Sequence, residues 1–163
     1  MVAGAIAALL VGAAVAWWLR PGAELTPVGN ALFHGDVPVG QAVFVGYPLT
    51  VRGGDVEIDD VSMGHAPERV SASFSIDSPE RCAVGLLLKL PSSCDPVPVA
   101  GQRVGEGGPR MLIARYVLTG ATIGDGVLGD VVVTFHEGRR GRTVNLGMRV
   151  CLSTTSVCDR SAA

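Results

Sequence analysis

Val70-Ser71-Ala72-Ser73-Phe74-Ser75-Ile76 alternates apolar and hydroxyl side chains without a break. A period of two places Val70, Ala72, Phe74 and Ile76 on one face and the serines on the other, the pattern of a strand with one buried side. Working outward, the neighbouring segments read the same way. Residues 42–45 and 49–52 are short strands around a Tyr47-Pro48 break, Gly53-Gly54-Asp55 marks a turn, and residues 56–63 are extended again. Downstream, the apolar run 83–90 ends at Pro91. It is short for a helix and flanked by breakers, so it reads as a strand buried on both faces. A proline-rich loop fills 91–109, and residues 110–118 and 131–137 are further strands. Gly138-Arg139-Arg140-Gly141 then makes a hairpin into 143–151, where Val144, Leu146, Met148 and Val150 share a face.

No helical period follows residue 20. Short strands separated by turn signals indicate an all-β fold, an immunoglobulin-like two-sheet β-sandwich over 41–160, without the Cys-Trp-Cys signature of true immunoglobulin domains. Residues 21–40, rich in Gly and Pro, read as a linker.

Residues 1–19 carry no charged or polar side chain, and at about 1.5 Å per helical residue they span roughly 28 Å, close to a bilayer's hydrocarbon core. With Trp17, Trp18 and Arg20 at its end, the stretch 1–20 reads as a single transmembrane anchor, or an uncleaved signal. Ala14-Val15-Ala16 fits a cleavage pattern, but no basic n-region precedes the apolar run. Gly4, Ala8, Gly12 and Ala16 form a small-xxx-small face suited to a helix-mediated homodimer.

Four cysteines fall as two close pairs, Cys82 with Cys94 and Cys151 with Cys158. Three pairings are open from sequence; the local ones are favoured because each brackets a turn-rich segment. Their spacings are far from zinc-knuckle geometry, so disulfides outside the cytoplasm are expected. Arg20 alone would argue for a cytoplasmic domain, and the cysteines outvote it. The net charge of −2 makes the chain as a whole a poor candidate for nucleic acid or anionic lipid, which reward a basic footprint. The domain is therefore expected at the cell membrane, extracytoplasmic, with a protein partner in the envelope and no cofactor.

Candidate sites are few. Arg139, Arg140 and Arg142 at one hairpin tip would dock a carboxylate or phosphate. Asp55, Glu57, Asp59 and Asp60 offer oxygens to calcium, with Asp55, Glu57 and Asp59 on one strand face opposite Val56 and Ile58. Met63 and His65 offer a soft pair to copper. No Gly-x-Ser-x-Gly elbow, Ser-x-x-Lys motif or phosphate loop is present. A histidine, a cysteine and a later arginine (His65, Cys151 or Cys158, and Arg160) resemble the site of the sortase transpeptidases. Val150 and Val157, however, stand where that family has threonine. The expected function is thus a membrane-anchored binding or accessory module without catalytic activity; a sortase-like transpeptidase and a metal-binding envelope protein are the alternatives.

Overall fold

The computed structural model describes residues 22–26, 31–34, 36–64, 69–82, 85–121, 127–147 and 149–154. The expected anchor, His65, Cys158 and Arg160 lie outside these residues. Among the described residues there is no helix, and none long and apolar enough to cross a membrane.

The described residues form thirteen strands in three sheets. They are β1 (Glu24–Thr26), β2 (Ala31–His34), β3 (Ala42–Arg52), β4 (Val56–Met63), β5 (Val70–Asp77), β6 (Leu86–Leu87), β7 (Val97–Pro98) and β8 (Arg103–Val104). After these come β9 (Arg110–Leu118), β10 (Val127–Gly129), β11 (Val131–Glu137), β12 (Arg140–Asn145) and β13 (Arg149–Leu152). The largest sheet runs β1-β3-β9-β5-β7, with β6 also on β3, and is antiparallel throughout. A second antiparallel sheet runs β12-β11-β4-β8. In the small third sheet β13 pairs antiparallel with β10 and parallel with β2. One core joins Val43, Val45 and Leu112 of the first sheet to Ile58, Val133 and Phe135 of the second and Val150 and Leu152 of the third. The architecture is therefore an all-β sandwich, as the alternating pattern requires.

The pattern that decides the fold becomes β5: Ser71 and Ser73 are exposed and Ile76 is buried, while Val70, Ala72 and Phe74 are half-buried against the core. Its neighbour β9 is buried without alternation over residues 111–114. Leu112 and Ala114 face the main core, whereas Met111 and Ile113 sit in a second cluster on the opposite face, under the loop that Cys82 and Cys94 close. Two covered faces at one end of a strand remove its period.

Three sequence expectations change, and in β4 the expected faces, Val56 and Ile58 buried and Asp55, Glu57 and Asp59 not, hold only up to a bulge. The break at Tyr47-Pro48 does not occur: β3 runs unbroken through Pro48. Gly46 donates its N–H to the Gly85 carbonyl on the β6 side, and the nitrogen of Pro48, two residues on, points to that same edge. There β6 has ended at Val45 and β1 has not begun until Thr50, so no ladder donor is lost. The described part of the run 83–90, residues 85–90, is no doubly buried strand; of these only Leu86 and Leu87 pair, on the edge of β3, and Leu88 is 50% exposed.

In β4 the strict alternation fails at a β-bulge. Thr134 of β11 faces Asp60 and Phe135 faces Ile58, so Asp59 is the extra residue. Asp59 and Asp60 consequently both reach solvent. Finally, 21–40 is not a linker in its described residues. Glu24–Thr26 pairs with β3, Ala31–His34 pairs with β13, and Ala23, Leu25 and Val37 are core residues.

Candidate functional site

The three arginines proposed for recognition sit on the hairpin of β11 and β12. Its two-residue turn is Gly138-Arg139, closed by Glu137 opposite Arg140. Gly138 has φ +59°, a backbone that Gly adopts without a Cβ clash, as the first central position of a type II′ turn demands. The stem of this hairpin grips the chain where it enters the sandwich. The Ala23 N–H donates to Glu137 Oε2 at 2.8 Å, and Arg142 Nη1 donates to the Ala23 carbonyl at 3.4 Å. A Cβ on Gly22 would stand 2.6 Å from Arg142 Nη2, so the approach is close. The three arginines therefore divide: Arg142 is occupied in holding the chain. Arg139 and Arg140 are exposed at the tip, with no hydrogen bond or ion pair to the described residues.

A second polar cluster, unmarked in the sequence, locks the disulfide loop. The Asp77 side chain is fully buried. Its Oδ1 accepts the Ser78 N–H and Arg81 Nη2, both at 2.6 Å, and its Oδ2 accepts the Asp95 N–H at 2.7 Å. Burial alone would push this carboxyl up; the Asp95 and Ser78 amides and the Arg81 charge outweigh it and hold Asp77 below the usual carboxylate range. Cys82 and Cys94 are joined beside it in a disulfide, one of the expected local pairs. Among the described residues, Asp77 with these two sulfurs is the one cluster of metal-type ligands. Its sulfurs are bonded to each other and its oxygens are taken, so it is a loop clamp. Next to it, Arg81, Arg103 and Arg110 line a cleft of about 90 Å³, below the size of a small-molecule site.

The acids singled out for calcium are dispersed among separate partners. Asp55 accepts the Glu106 N–H at 3.1 Å, Glu57 pairs with Arg103 at 3.1 Å, and Asp59 with His136 Nδ1 at 2.6 Å. The first ties the loop after β8 to the start of β4, the second joins ladder partners of β4 and β8, and the third bridges β4 to β11 across the bulge. Cys151, considered as a nucleophile in the transpeptidase comparison, is disulfide-bonded, its partner lying outside the described residues.

Tyr47 and Tyr116 are a polar pair inside the core that the sequence does not announce. Their hydroxyls are 2.8 Å apart, one donating to the other. Burial pushes the Tyr116 phenol up to about 12, against a smaller downward pull from its bond with Tyr47. Tyr47 is driven higher, by burial first and then by Tyr116.

No known family matches the chain, and no curated protein matches it. Among solved structures, the Vibrio cholerae VesB protease is similar with TM-score 0.46 and 9% identity, over 84% of this chain and 34% of that one. The CooA pilin subunit of enterotoxigenic Escherichia coli is similar with TM-score 0.37 and 12% identity, over 82% of this chain and 98% of that one. The chain thus spans about a third of the length of the protease structure.

Proposed function

We propose that the chain is a single-pass cell-membrane protein whose extracytoplasmic domain, a β-sandwich of the broad immunoglobulin-like kind, is a binding or accessory module without catalysis. The observation that carries this reading is the state of the cysteines. The Cys82–Cys94 cross-link closes a loop and Cys151 is likewise disulfide-bonded, chemistry that persists in oxidising compartments beyond the cytoplasm. With residues 1–20 as anchor, the membrane and a protein of the cell envelope are its partners, and the small-residue face of the anchor is available for homodimerisation. The polar side chains described above serve the fold: Asp77 and Arg81 hold a loop, Glu137 and Arg142 hold the start of β1, and the tyrosines bond each other.

Alkylation of the native, unreduced full-length protein, followed by peptide mass mapping, tests the claim. No cysteine is labelled without reductant if each thiol is a staple, and all become reactive after reduction. Labelling of Cys151 or Cys158 in the unreduced protein would overturn the non-catalytic reading and restore the transpeptidase alternative.

A further inference from the structure

The missing linker has a geometric consequence. Only Arg20 and Pro21 separate Leu19 from Gly22, a path of at most about 10 Å for a fully extended chain. Gly22 packs against Arg142, and Arg140 lies two residues up the same strand, about 7 Å further. If residues 1–19 cross a bilayer, the β11–β12 tip therefore lies at most about 17 Å from the headgroups, a span short enough for the sandwich to lean its tip onto them, within the Debye length over which a cation feels an anionic surface. Arg139 and Arg140 are the side chains at that tip, exposed and without partners among the described residues.

Acids share this corner. Glu137, Glu106 and Asp55, however, each accept a backbone N–H, from Ala23, Gly53 and Glu106 respectively. Glu24 is the exposed acid near the start of β1.

We propose that Arg139 and Arg140 rest on the phosphates of anionic phospholipids in the anchoring membrane, fixing the sandwich with its β11–β12 corner against the bilayer. The inference rests on the anchored reading above. It also explains why the hairpin stem grips the first residues of the domain: that contact transmits the orientation of the tip to the whole core.

The test uses the full-length chain in nanodiscs of phosphatidylcholine alone or enriched in phosphatidylglycerol, with hydrogen exchange followed across 136–145. Amides at the tip should exchange several-fold more slowly in the anionic discs, about fivefold for each arginine engaged. High salt and the R139Q/R140Q double variant should abolish the difference, while R139K/R140K should keep most of it. Equal exchange in both lipids, from a chain integrated in the disc, would overturn the tip contact and leave the anchor standing. A chain extractable from either lipid by alkaline carbonate would overturn the anchor and, with it, this inference.

Discussion

Tyr47 and Tyr116 are the only tyrosines of the chain, and both lie in one buried pair. Their phenols are raised in the folded state, whereas in an unfolded chain they ionise near pH ~10. The stability tied to their neutral forms is thus complete below that value. Above it the unfolded state loses protons first, so stability falls as the pH rises toward the folded values. Phenolate absorbance should consequently appear together with loss of β-sheet circular dichroism, in one alkaline step. A smooth titration near pH ~10 in a folded protein would contradict the buried pair. Replacing either tyrosine with Phe should cost about 1–3 kcal/mol by stranding the other hydroxyl, and the double replacement should cost less than the sum. Neither residue could be matched to the other from sequence. They lie on different strands, and Tyr47 faces Leu112 while Tyr116 faces Val43 in the ladder. The pairing comes from two side chains meeting inside the core, a relation no local pattern encodes. Asp77 was hidden for the same reason, since one of its partners, the Asp95 amide, is supplied by the far side of the disulfide loop.

At the scale of elements, the alternation in Val70–Asp77 predicted its strand because one face of β5 meets solvent and the other the core. The run 83–90 misled because its apolar side chains suggested enclosure on both sides. Leu87 and Leu90 instead cover the outer face of β9, as a flap around Met111 and Ile113, while Leu86 packs against the main core. A disulfide spanning a sequence separation of 12 holds that flap down. Removing it with C82S/C94S should lower stability by about 3 kcal/mol in the chain-entropy account, as read from urea unfolding. Unchanged stability would mean that the Asp77 clamp alone holds the loop. Pro48 misled for a related reason: a proline ends a strand only where its missing N–H is needed, and the gap between β6 and β1 removes that need.

For the molecule as a whole, the run of short strands between turn signals carried the all-β class and cysteine spacing carried the Cys82–Cys94 staple. The extent of the domain was not legible, because Gly and Pro in 21–40 disguised two strands of three and four residues whose partners lie far along the chain. Folding those strands into the sandwich leaves little tether between the apolar N-terminal stretch and the core, so anchorage and orientation become one question. The proposed function requires that this sandwich stand outside the cell on a membrane-spanning segment. Protease added to intact cells, or to spheroplasts where an outer envelope intervenes, measures it directly. Fragments from 22–163 should disappear while residues 1–20 remain in the membrane fraction; a domain protected until the cells are lysed would contradict the proposed topology.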